Sequence, residues 1–529
     1  MNTLKFIISL PLLFALPGCA NDDTPGEQPG NIISVEKSVT IDADRTFQTI
    51  VGFGASDCWT PAFVGKYWTT NRERIGQWLF SDKIEEGSPQ GIALSMWRTN
   101  AGGGSAEQGD ASGIDDETRR AESYLTDNLS LDWTRCEGQR YFLDQAKAWN
   151  VPGVVLFSNT PPVQYTYNGK GLSNRGGVSN LKSEHYADFA NYLTEVAAHY
   201  RQAGYPVTHI SPVNEPQYNW DSGQEGSGWT NEEMARLAKE LDKSLTTAAL
   251  PVDLLLNESA DWEYLYRAKD DANRSNSLAT FFTPGASTYI GDLAHVKPML
   301  GAHSYWTDGT WDGMRSVRQQ ARQAADQYGV DLWQTEWSML GDGYSSSEFA
   351  GFDTASEMDI ALYMSKVIHN DLTVANVTSW SFWTSMDIPR WGHKNRFLLI
   401  SLVPAGGADG DIRQEGTAQP TPTLWVLGNY SRFIRPGYRR VALEMNDSRS
   451  FFASAWISPE KDRVVAVFSN LSSKGVRLNE THTGWSQTPG SVTTYTTAAG
   501  KNLQERHVES GQPVVLDAQS VTTVVYDLN

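Results

Sequence analysis

The sequence predicts a (β/α)8 barrel with a small β-sandwich fused to its side. Three observations predict it. Eight short apolar runs alternate with amphipathic helical stretches between about 46 and 400, most of those runs end in a polar or aromatic residue, and the last eighty residues carry only short alternating runs. The 529 residues, 40% of them hydrophobic, supply enough apolar material for a large core.

In chain order, residues 1–18 read as a leader. Lys5 precedes the apolar run 6–16 (FIISLPLLFAL), which is too short to span a bilayer and ends in Leu16-Pro17-Gly18-Cys19. That ending resembles a bacterial lipobox and implies cleavage before Cys19 and lipidation of its thiol; the other reading is a plain secretory leader with a chance cysteine. Residues 19–31 are polar, acidic and rich in Gly and Pro, as a flexible tether is. The expected location is therefore outside the cytoplasm, lipid-anchored to an outer membrane and facing the cell surface, with the membrane met only through that anchor.

Residues 32–45 alternate apolar and polar as a half-buried strand does, and they are expected to join the sandwich. The barrel is assigned to 46–424. Its strands are expected at 49–56, 92–100, 153–159, 208–215, 252–259, 298–306, 331–339 and 377–385. Between them, Thr230 to Glu233 has the form of a capping box, followed at helical spacing by Met234, Leu237, Leu241 and Leu245. Residues 184–203, 313–328 and 354–371 read as helices too. The helical signal ends at about 425, and 425–529 is assigned to the β-sandwich, with runs such as FFASAWI and RVVAVFSN.

Composition removes some functions. A formal net charge of −19 repels nucleic acid but not a neutral polysaccharide. The 19 Trp residues have two readings, core packing or a cleft where indole rings carry sugar faces. Cys58 and Cys136 are read as buried thiols or as one bridge. No HExxH pair, phosphate loop or GxSxG elbow is present in the sequence, and no metal or cofactor is expected.

The strongest local signals are PVNEPQ (212–217) and QTEWSM (334–339). Glu215 and Glu336 end the fourth and seventh expected strands, so both point into the barrel mouth. Two carboxylates about a sugar's width apart can break a glycosidic bond: one attacks the anomeric carbon, and the other donates a proton to the leaving oxygen. The bland reading of each Glu is a strand-end salt bridge.

With these motifs stand GFGASD (52–57), WRTNAGGGSAEQGD (97–110), RRAES (119–123), FSNTPP (157–162), HSYW (303–306), SWSFWTS (379–385) and LGNYSRFIRPGY (427–438). Together they resemble glycoside hydrolase family 30, most closely its endo-β-1,6-galactanase-like branch, over about 46–529. The resemblance implies retaining hydrolysis of a β-linked polysaccharide with Glu215 as acid/base and Glu336 as nucleophile. It implies that Asn214, Tyr305 and Trp383 line the subsite of the attacked sugar, with barrel-core packing as the other reading of Trp383. Tyr305 is read as bonding Glu336. Arg98 either pairs with Glu336 or answers another buried acid. Asp57 and Asn159 either bond sugar hydroxyls or cap loops. Arg390, Lys394 and Arg396 are either a solvated charge run or a grip for a uronic acid. The preferred substrate is a β-1,6-galactan. β-1,6-glucan and glucuronoxylan are the alternatives, and a surface lipoprotein that binds glycan without cutting it is the reading from another class.

Overall fold

The computed structural model describes residues 35–341, 344, 348–485 and 489–528. The leader, the tether, Cys19 and residues 32–34 of the first expected strand lie outside the described residues.

Eight parallel strands close into a barrel: β2 (Gly52–Ser56), β3 (Met96–Asn100), β4 (Gly153–Phe157), β5 (Val207–Ser211), β6 (Asp253–Ser259), β7 (Val296–His303), β8 (Asp331–Glu336) and β9 (Ser379–Phe382). The ring runs β8-β9-β2-β3-β4-β5-β6-β7. Runs such as GVVLF in β4 are buried along their whole length, because side chains on one face fill the barrel and those on the other meet the helices. Each strand overlaps the run that predicts it.

The helices follow from the same pattern. In Asn231–Thr247 both bonds of the capping box form at Thr230 and Glu233, and Met234, Leu237, Leu241 and Leu245 are buried. One helix departs from the sequence reading. Pro422–Ser431 runs through the point where the helical signal is read as ending. Its residues 423–431 are all buried, so no polar face exists to give an amphipathic stripe.

Nine further strands form one sheet. They are β1 (Val35–Thr49), β10 (Arg439–Glu444), β11 (Phe451–Ile457), β12 (Arg463–Asn470), β13 (Val476–Thr483), β14 (Ser491–Ala498), β15 (Lys501–His507), β16 (Val515–Leu516) and β17 (Ser520–Asp527). Their order is β15-β14-β17-β12-β11-β10-β1-β13-β16. β1 pairs antiparallel with β10 and parallel with β13, so the two ends of the described chain share one sheet. Alternation along β12 divides two cores: Val464, Ala466 and Phe468 enter the sheet's own apolar core, while Val465 and Val467 join the main core of the barrel.

Inside the barrel, Met96, Val155, Leu255, Met299 and Trp333 form a closed apolar layer. This floor positions the site. Two residues beyond Met96 on the same inward face comes Arg98, and four beyond Met299 comes His303. Two pairing irregularities add acids to the same layer. One lies in β6 between Leu256 and Ser259, where Glu258 has φ 46°, and one in β8 sets Glu336 opposite His303.

Candidate active site

A buried cluster of charged groups occupies the mouth of the barrel. The Arg98 guanidinium donates to Glu336 Oε2 at 2.9 Å and to Asn214 Oδ1 at 3.0 Å, and lies 3.5 Å from Glu258. Its face rests on the Phe157 ring, 3.6 Å from the centroid. The Tyr305 hydroxyl donates to Glu336 Oε1 at 3.2 Å. His303 bridges two further carboxylates, with Nδ1 at 2.7 Å from Glu215 Oε1 and Nε2 at 3.1 Å from Glu258 Oε2. Ser211 donates to the other oxygen of Glu258 at 2.8 Å. Glu215 itself has φ 40°, a sparsely populated conformation for a residue with a side chain. One carboxylate oxygen of Glu215 and one of Glu336 lie within 4.8 Å of each other, with His303 between them.

Charge counting favours one proton on the cluster. Three carboxylates, Glu215, Glu258 and Glu336, share this volume with two cations, Arg98 and His303. One proton on a carboxyl makes the cluster neutral, which a buried site favours. Burial pushes Glu215 above the ordinary carboxyl range; the charge of Glu336 adds to that, against the pull of His303 and Arg98. Burial also works against the ionised form of Glu258, but Arg98 and His303 outweigh it and hold that carboxyl down to about 2. His303 is pushed up to about 10: burial opposes its charge, and Glu336, Glu215 and Glu258 together overcome it. Of these carboxyls Glu215 is pushed upward and Glu258 downward, which suits Glu215 to carry a proton. Glu215, His303 and Glu336 also present oxygen and nitrogen atoms close enough to ligate a metal ion, but the Arg98 guanidinium already supplies a cation against Glu336.

Above the cluster stands an aromatic wall. Trp383 meets Trp59 edge to face at 6.3 Å and Phe157 at 6.5 Å. Asn159 is buried; its Nδ2 reaches Cys58 Sγ at 3.9 Å, and its Oδ1 has no hydrogen-bond partner among the described residues.

The structure thus brings together Glu215, Glu336, Asn214, Tyr305 and Arg98, with Trp383 and Asn159 beside them. Of the two readings of Arg98, both hold at once, since it meets Glu336 and Glu258. Asp57 is different. Its oxygens accept from Thr99 Oγ1 at 2.5 Å, Asn100 N at 3.0 Å and Gln139 Nε2 at 3.1 Å, so it fastens the end of β3 instead of facing a sugar. Burial raises it to about 6 despite those bonds. The Gly-rich AGGGS loop wraps a buried carboxylate: Gly103 N, Ser105 N and Ser105 Oγ donate to Glu225 at 2.8, 3.0 and 2.6 Å. A Cβ on Gly103 would stand 2.5 Å from Thr160 Cγ2, which is why the residue is glycine. Two of the three residues in the basic cluster after β9 are engaged by protein groups, while Lys394 is exposed. Arg390 pairs with Asp116 at 2.7 Å, and buried Arg396 donates to the Gly341 carbonyl at 2.6 Å. Cys58 and Cys136 are buried free thiols.

Two members of the cluster carry no role in the sequence reading, His303 and Glu258. Both stand at strand ends, one inside HSYW and the other closing VDLLLNES, and that position is the only sequence signal they give.

A parallel eight-stranded barrel holding two facing carboxylates beside an aromatic wall defines a glycosidase. The sequence model of O-Glycosyl hydrolase family 30 matches residues 36–393. The chain belongs to that family. It is 24% identical over 421 residues to an endo-β-1,6-galactanase of Hypocrea rufa, covering 76% of this chain and 75% of the relative. It is 25% identical over 392 residues to a glucuronoxylanase of Bacillus subtilis, covering 72% of this chain and 76% of that one. Among solved structures, a conserved exported protein from Bacteroides fragilis superposes with a TM-score of 0.85 at 29% identity, over 92% of this chain and all of that one.

Proposed function

We propose that the protein is a retaining, endo-acting β-1,6-galactanase in which Glu336 is the nucleophile and Glu215 the acid/base. The observation that carries the retaining mechanism is that one oxygen of each carboxylate lies within 4.8 Å of the other, in keeping with the ~5–5.5 Å carboxyl separation of retaining enzymes. In the first step Glu336 Oε attacks the anomeric carbon and the bond to the leaving oxygen breaks. Glu215 gives that oxygen its proton, and a glycosyl ester on Glu336 results. In the second step Glu215, now a carboxylate, takes a proton from water; the water oxygen attacks the same carbon and Glu336 is released. Arg98 and Tyr305 orient the nucleophile and receive its returning charge. Trp383 floors the attacked sugar, with Asn214 and Asn159 beside it for hydroxyl contacts.

The galactan reading is supported by the similarity to the Hypocrea rufa endo-β-1,6-galactanase. It is also supported by the engagement of Arg390 and Arg396 with protein acceptors, which weakens the case for a uronic acid grip there. Glucuronoxylan stays as the second reading because the Bacillus subtilis relative is as similar. Export with a lipid anchor on Cys19 fits a galactan met outside the cell. Digests of β-1,6-galactan, β-1,6-glucan and glucuronoxylan by the purified protein test the substrate. Release of galacto-oligosaccharides from the first alone is expected; activity confined to the other two overturns the galactan assignment. Wild-type protein that binds one of them and cuts none supports the lipoprotein reading instead.

A further inference from the structure

We infer that Trp306, held by Tyr218, is the platform for the sugar on the leaving-group side of the cut. Trp306 directly follows Tyr305 beyond β7 and is 55% exposed, against 2% for Tyr305. An indole that exposed is rarely fixed, yet its Nε1 donates to the Tyr218 hydroxyl at 2.8 Å. Tyr218 is itself 38% exposed and meets Trp220 edge to face at 5.6 Å. Both rings are tied to the acid residue, because Tyr218 N and Trp220 Nε1 donate to the carbonyl of Glu215 at 3.1 and 3.0 Å. Trp306 and Trp220 have φ 60° and 55°, so the backbone is held in the left-handed region to keep this arrangement. The result is a rigid, half-open aromatic ledge with one end anchored at Glu215.

Barrel order gives the ledge its side. It rises from the loops after β5 and β7, whose midpoint is β6. Opposite β6 in the ring stands β2, which is followed by Trp59 and adjoins the strand followed by Trp383. A glycan lying across the mouth therefore meets Trp383, backed by buried Trp59, at one end, the carboxylates in the middle and the ledge at the other. The proton donor must sit on the leaving-group side of the bond it protonates. The ledge is built on the donor's own carbonyl, so the sugar it carries is the leaving one. An exposed indole face suits the apolar face of a pyranose and ignores its charge.

This rests on the reading of Glu215 as proton donor, and on no particular linkage. The test compares two substrates made from whichever of the three polymers the wild type cuts: an oligosaccharide of that polymer, and its glycosyl fluoride, which has no leaving sugar. Trp306→Ala is expected to lower the oligosaccharide-to-fluoride ratio of kcat/KM about tenfold. Tyr218→Phe, which keeps a ring but frees the indole, lowers the ratio less, and Trp306→Phe restores most of it. An unchanged ratio in Trp306→Ala overturns the inference, whether the two rates stay put or fall together. If glucan or xylan is the polymer cut, the galactan reading fails and the ledge is judged by the same ratio. If none is cut, both fail.

Discussion

At the scale of single residues the site is a problem of charge and reach. Glu336 has two fixed donors, Arg98 and Tyr305, so its position is set before any sugar arrives. Glu336→Gln should lower kcat by about a thousandfold or more while glycan binding, followed by tryptophan fluorescence, survives. Turnover within tenfold of the wild type would contradict the assigned nucleophile. His303 bonds the Glu215 carboxyl directly, holding it in position and pulling its pKa down. Its removal therefore lets Glu215 rise further. In His303→Gln, kcat/KM should fall about a hundredfold, and the alkaline limb of its pH profile should move to higher pH. A limb that moves down or stays fixed would show that His303 does not govern the acid. The two glutamates were legible in the sequence because each closes an apolar strand run inside a distinctive motif. His303 and Glu258 were not. Their partners lie 88 and 45 residues away, and only the irregular pairing in β6 and β8 brings the groups into one layer.

At the scale of elements, a buried polar group fastens the loop after β3. Glu225 is fully buried and gathers the donors of the loop after β3 from a position in the loop after β5. Glu225→Ala leaves buried N–H groups without acceptors and should lower unfolding stability by about 2–4 kcal/mol, measured with urea. A loss under about 1 kcal/mol would mean that water satisfies those donors. The AGGGS glycines let the backbone approach closely, but nothing local in the sequence names the buried carboxylate that stands opposite. Helix Pro422–Ser431 hid for a related reason. Burial on every side erases the period that sequence reading depends on.

At the scale of the whole molecule, the barrel and the nine-stranded sheet share one apolar core. Trp456, Val465, Val467, Val521 and Val525 of the sheet join it, and Asn429 of the intervening helix donates to Tyr495 O at 2.9 Å and Thr523 Oγ1 at 3.0 Å. An interface this apolar couples the two parts, so calorimetry should show a single transition. Two resolved transitions would contradict the coupling. The buried charges also give stability a pH signature. Glu258 is held down to about 2 in the fold, so its contribution is present above its ordinary 4.5 and is lost as pH falls toward 2. The stability gap between wild type and Glu258→Gln should accordingly narrow over that acid window. A gap that widens there would refute the pairing with Arg98 and His303. The barrel was legible because eight strand runs with polar ends leave few other folds. The substrate was not, because the barrel serves many glycans and the choice rests in loop surfaces.

The closeness of Glu215 and Glu336 makes one claim that a single spectrum can judge. Proton NMR of a digest, recorded in its first minutes on the polymer that is cut, reads the anomer formed at the new reducing end before mutarotation. The β-anomer is predicted, since two inversions at one carbon restore its configuration. An α-anomer formed first would mean that water attacks directly, and Glu336 would not be the nucleophile.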